Sequence, residues 1–64
     1  MKFRVSYLHD NLGRARSYPM TADAALALAR SWEREGEREV RIEDDQSGDE
    51  WTIDGFVAAG VNQR

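Results

Sequence analysis

A chain of 64 residues and 7.3 kDa hides only about 60% of its unfolded surface on folding, which leaves room for one small domain with a thin core. Leu, Ile, Val and Phe supply twelve of the 64 residues, near the compositional edge of disorder, but a net charge of −3 lacks the charge excess of disordered chains. A pI near 5.0 argues against bulk nucleic-acid binding, and the absence of Cys excludes disulfides, thiolate metal sites and a cysteine nucleophile.

Residues Lys2 to His9 alternate, with Phe3, Val5 and Tyr7 on one side and Lys2, Arg4 and Ser6 on the other. This is the period-2 pattern of a half-buried strand. Asp10, Asn11, Leu12 and Gly13 form a turn cluster in which Asn11 and Gly13 tolerate positive φ, and the chain to Tyr18 returns antiparallel as a second strand. Arg14, Ala15, Arg16 and Ser17 have little to bury, so this strand belongs at an edge, where its arginines discourage pairing with other chains.

Pro19 stops the second strand. Thr21 then stands as an N-cap whose hydroxyl accepts from the Ala24 N–H, with Asp23 favoured by the dipole in the first turn. The spacing predicts a helix to about Glu35, because Ala25, Leu28, Ala29 and Trp32 recur as one apolar stripe that Leu26 widens. Gly36 is the natural left-handed residue after it. Arg30 and Arg34, interleaved with Glu33, Glu35 and Glu37, read as a solvated face.

The period returns to two from Glu39 to Glu43, with Val40 and Ile42 inward and Glu39, Arg41 and Glu43 outward. Asp44 to Asp49 make a polar reversal. Trp51 and Ile53 then alternate against Glu50, Thr52 and Asp54 as a fourth strand. Asp54 is a candidate cap for a last short helix whose Phe56, Val57 and Val61 fold back on the sheet, while Gly60, Asn62, Gln63 and Arg64 let its end fray.

The expected fold is α+β: residues 1–64 as a single two-layer domain, a β-β-α-β-β antiparallel sheet with one long helix on one face and a short C-terminal helix. Phe3, Val5, Tyr7, Leu26, Leu28, Trp32, Val40, Ile42, Trp51, Ile53 and Phe56 form its predicted core. The run Ala29-Arg30-Ser31-Trp32-Glu33-Arg34-Glu35-Gly36, the strand Val40-Arg41-Ile42-Glu43-Asp44 and the return Trp51-Thr52-Ile53-Asp54-Gly55-Phe56 resemble small bacterial β-β-α-β-β domains of uncharacterised function. The resemblance implies the architecture and brings no catalytic residues with it.

His9, the one histidine, precedes Asp10, and a carboxylate beside an imidazole tunes a general base. No nucleophile or oxyanion site converges with them in the pattern, and the plainer reading is a strand end and its turn. Asp44, Asp45, Asp49 and Glu50 crowd one loop, but the EF-hand template puts Glu50 where its turn glycine belongs and Phe56 where its bidentate Glu belongs. The loop reads as a solvated hairpin tip. The glycines match neither phosphate-loop spacing. No cofactor, metal, small-molecule substrate or concave pocket is indicated, and the chain is not expected to be an enzyme.

The outward positions Lys2, Arg4, Ser6, Arg14, Arg16, Tyr18 and Arg41 could neighbour one another. A basic sheet surface with an aromatic can track a single-stranded backbone and stack a base. Glu39, Glu43, Glu50 and Asp54 fall on the same face, so cross-strand charge pairing explains it as well or better. A sheet covered on one side, with short edges, also lets another chain dock or add a strand. The expectation is a non-enzymatic cytoplasmic interaction module that binds a protein partner or a second copy of itself through the open sheet face or an edge strand. The alternative is a small single-stranded nucleic-acid binder with Lys2, Arg4, Arg14, Arg16 and Arg41 on phosphates and Tyr18 stacking. No apolar run is long enough for a signal-peptide core or a membrane span.

Overall fold

The structure is a computed structural model that describes residues 1–10 and 13–61. The centre of the turn expected at Asn11 and Leu12, and the expected fraying of Asn62 to Arg64, lie outside the described residues. The elements run β1 (Phe3–Leu8), β2 (Arg14–Arg16), α1 (Ala22–Arg34), β3 (Arg38–Asp44), β4 (Glu50–Trp51) and α2 (Ile53–Ala58). The four strands form one sheet in the order β2-β1-β3-β4, with every neighbouring pair antiparallel. This is the expected α+β, β-β-α-β-β domain with one longer and one short helix.

Val5 lies opposite Ile42, Ile42 opposite Trp51 and Phe3 opposite Asp44. Cross-strand partners share a face, so this line of side chains fixes the inner surface. Both helices pack on it. Ala25, Leu26 and Ala29 of α1 and Ile53 and Phe56 of α2 are buried with Phe3, Val5, Val40 and Ile42. Two alanines at the contact bring the α1 backbone close to the sheet, and the larger Tyr7, Leu28, Trp32 and Trp51 sit half-buried around this centre. Aromatic edges close its two ends: Trp32 stands edge-on to Tyr7 at 4.9 Å between ring centres, and Phe56 meets Phe3 at 5.4 Å and Trp51 at 5.5 Å.

Thr21 caps α1 as the sequence predicts, its Oγ1 accepting from Ala24 N–H at 3.3 Å. At the other end Glu35 is the C-cap and Gly36 takes φ +90°, a conformation that glycine adopts without a Cβ penalty.

Three local expectations are corrected. The fourth strand ends at Trp51, and Ile53 opens α2 rather than continuing an alternation. The cap of α2 is Thr52, whose Oγ1 accepts from Gly55 N–H at 3.0 Å, while Asp54 lies inside the first turn. The hydroxyl wins because a residue with extended backbone just before the helix aims its oxygen at the free N–H groups. Tyr18 is not on the second strand, which stops at Arg16. There the Ser17 hydroxyl replaces a ladder carbonyl: Val5 N–H donates to it at 2.9 Å, and it donates in turn to the Tyr18 carbonyl at 3.0 Å.

Candidate interaction face and acidic cleft

No element covers the outer sheet face among the described residues. The register puts Ser6 beside both Arg16 and Arg41, Arg4 beside Glu43, and Leu8 beside both Arg14 and Arg38. Arg4, Ser6, Arg14, Arg16 and Arg41 therefore do share one face. Lys2 is exposed just ahead of β1, and Tyr18, 87% exposed, lies beyond the end of β2.

Carboxylates on and around this face hold four of its arginines, while Arg41 Nη1 donates to the Val40 carbonyl at 3.0 Å. Arg16 Nε meets Glu43 Oε1 at 3.0 Å, Arg4 Nε meets Asp45 Oδ1 at 2.6 Å, and Arg38 Nη2 meets Asp10 Oδ1 at 3.2 Å. Arg14 reaches Glu39 Oε1 at 3.7 Å and donates to the Glu39 carbonyl. Ser6 is the hub. Its hydroxyl donates to Glu43 Oε2 at 3.1 Å and accepts from Arg14 Nε at 3.2 Å, and the surrounding side chains leave it 0% exposed. Glu43 stands opposite Glu50, a like-charge pair across strands, and the Arg16 guanidinium offsets the charge of one member.

A β-bulge shapes the same surface. Pairing of β1 with β3 shifts register between Ser6 and Leu8, so Glu39 and Val40 both stand opposite Tyr7. Glu39 takes φ +49°, the left-handed conformation of the first residue of a G1-type bulge, where glycine is usual, and its carbonyl then accepts from Arg14.

His9 is exposed and stands edge-on to Tyr7 at 6.0 Å, whereas the Asp10 carboxylate belongs to Arg38. In the acidic loop, Asp44 Oδ1 accepts from Gln46 N–H at 2.8 Å and Ser47 N–H at 3.0 Å. Those bonds, first Ser47 and then Gln46, hold the Asp44 carboxyl below its ordinary 3.8 against the opposing effect of burial, with a smaller contribution from the Met1 α-ammonium. Asp44 thus closes the hairpin from within. No group of three His, Asp or Glu side chains comes together at a spacing fit for a metal among the described residues.

The molecule also has a cleft that the sequence pattern does not reveal. It holds about 480 Å³ between the N-terminal ends of β1 and α1, the β3–β4 hairpin and the C-terminal end of α2, and is lined by Met1, Phe3, Thr21, Ala22, Asp23, Asp44, Asp49, Trp51 and Val61. Its lining comes from five separated stretches of chain, so no local motif announces it.

No helix among the described residues is long and apolar enough to cross a membrane. Comparison with known protein families, curated proteins and solved structures found no match.

Proposed function

We propose that the chain is a non-enzymatic interaction module of the cytoplasm that binds a protein partner, or a second copy of itself, through the outer sheet face and the adjoining β2 edge. The observation that carries this reading is the uncovered face on which Arg4, Arg14 and Arg16 are already held by Asp45, Glu39 and Glu43. Arg is enriched at protein interfaces, and a guanidinium held in place before contact loses less freedom on binding. The interleaved carboxylates favour a partner surface of mixed charge over a phosphate backbone, which would meet Glu43 and Asp45 as well as the arginines. The short β2 edge offers the backbone groups of Arg14 and Arg16, which point away from β1, to an added strand.

The test is sedimentation of the purified protein over a wide concentration range, joined to affinity recovery from lysate of its source cells with and without nuclease. An Arg4→Glu, Arg16→Glu variant that keeps the parent circular dichroism is run in parallel. A concentration-dependent dimer or a nuclease-resistant protein partner, weakened at least about tenfold in the variant, is the expected result. A monomer whose recovered material is identical for the two proteins overturns the reading, and recovery abolished by nuclease replaces it with single-stranded nucleic-acid binding through the same arginines.

A further inference from the structure

The sheet ends in two edges of opposite charge. Among the described residues β2 packs against no element but β1, and it carries Arg14 and Arg16 on the outer face. β4 is the other edge and carries Glu50 on that same face, since Glu50 stands opposite Glu43 and Glu43 opposite Arg4. The ladder bonds fix which backbone groups each edge leaves open. Ser17 N–H donates to the Val5 carbonyl and His9 N–H to that of Gly13, so in the antiparallel alternation Ala15 turns its N–H and C=O to β1 while Arg14 and Arg16 turn theirs outward. On the far edge Asp44 N–H donates to the Asp49 carbonyl, which by the same alternation leaves the N–H and C=O of Glu50 pointing outward.

The strand directions let these two edges meet. Every neighbouring pair is antiparallel, so direction alternates across the order β2-β1-β3-β4, and β2 and β4 run oppositely. A second copy set beside the first with its helices on the same side therefore continues the antiparallel ladder, its β4 against β2. The residues that exchange backbone bonds are then Arg16 of one copy and Glu50 of the next, and both side chains lie on the outer face, opposite charges directly across a strand pair. Like edges lack this match: two β2 strands would set arginine against arginine, and two β4 strands Glu50 against Glu50. Within one chain Glu50 faces only the like charge of Glu43 across the ladder. Arg16 is held on Glu43 by its Nε, and its two terminal nitrogens suit a second carboxylate.

We infer, resting on the interaction-module reading above, that the occupant of the β2 edge is the β4 edge of a second copy of this chain, with Arg16 of one copy opposite Glu50 of the next. The contact is heterologous, and each added copy presents a fresh edge, so it builds open chains rather than a closed dimer. Edge arginines that repel their own kind thus act as a selector and admit an acidic strand. Pro19, which has no N–H to give, limits the pairing to the short β2, and β4 has only 2 residues. An interface of this size is weak, with a Kd on the order of 1 mM.

Sedimentation equilibrium of the intact chain from about 0.05 to 2 mM, joined to amide resonances over the same range, tests the inference. The weight-average mass should climb with concentration and pass the dimer without a plateau, and the climb should shrink at about 0.5 M salt. The amides of Arg14, Arg16 and Glu50 should move with concentration while that of Ile42, in the middle of the sheet, stays in place. Glu50→Lys, at an exposed position, removes the like-charge contact with Glu43 and so should fold, yet it should weaken association at least about fivefold. Arg16→Glu should do the same, and an equal mixture of the two variants should regain the parent's mass, because each then meets an edge of opposite charge. If Arg16→Glu does not fold, the double variant Arg16→Glu, Glu50→Lys supplies the same exchange within one chain. A monomer up to about 2 mM, a mass that levels off at the dimer, or equal association of parent and Glu50→Lys would overturn the inference, since open pairing of unlike edges should give none of these. A nuclease-resistant protein partner recovered by a chain that stays monomeric would sink this inference alone and leave the interaction-module reading standing.

Discussion

At the scale of single residues, the polar side chains with the most consequence are those that replace backbone partners. Asp44 is the clearest, because one carboxylate oxygen serves two N–H groups of the reversal, while its carbonyl takes a third from Gly48. Its folded-state pKa lies below 3.8, so its stabilising contribution is whole above the unfolded-state value and is lost as pH falls through the lower folded value. Thermal melts taken from pH 7 into the acid range should therefore show a fall in Tm that begins near pH 4. Asp44→Asn keeps the geometry of the acceptor and removes the titration, so its acid limb should be flatter than that of the parent. Equal slopes for both proteins would show that other carboxylates carry the acid sensitivity.

At the scale of elements, residues with strong local rules were legible and those with competing rules were not. Thr21 has a proline two residues before it and an apolar helical stripe after it, so the start of α1 follows from sequence alone. The stretch from Trp51 to Phe56 satisfies two patterns at once, alternation through Ile53 and a helix capped at either Thr52 or Asp54, and tertiary packing decides between them. Ile53 and Phe56 must both face the core, and three residues apart they share a helix face, whereas in a strand they would point to opposite sides. Thr52→Ala should then cost about 1 kcal/mol, lowering Tm by roughly 4–8 °C for a chain of this size, with a much smaller effect from Asp54→Ala. Differential scanning calorimetry of the two variants measures the contrast, and a larger loss at Asp54 would return the cap to that residue. The bulge at Glu39 was illegible for a related reason: its left-handed φ is carried by a glutamate, where a glycine would have marked it. The sharing of one face by Arg4, Arg14, Arg16 and Arg41 was readable from alternation, but their carboxylate partners depend on register and on the hairpin tip, where Asp45 reaches back 41 positions to Arg4.

For the whole molecule, a thin core means that stability is concentrated in few side chains. A chain of this length has about 3–10 kcal/mol in total, and its largest buried side chains are Phe3 and Phe56. Phe56 lies between Phe3 on the first strand and Trp51 on the last, so it ties the C-terminal helix to both ends of the folded chain. Removing it leaves a void that two aromatic rings on a sheet cannot close, and Phe56→Ala should cost about 3–5 kcal/mol, comparable to the total. The variant should lose helix and strand signals together in far-ultraviolet circular dichroism at 37 °C. Phe56→Leu, which keeps most of the volume, should cost about 1–1.5 kcal/mol and melt cooperatively at a lower temperature. A Phe56→Ala protein that retained α1 packed on the β1–β3 ladder, with slow amide exchange there and fast exchange only in α2, would show the terminal helix to be a separable appendage. In that case the cleft beside Trp51, which takes Val61 from just beyond α2, would lose part of its wall without any loss of the sheet face.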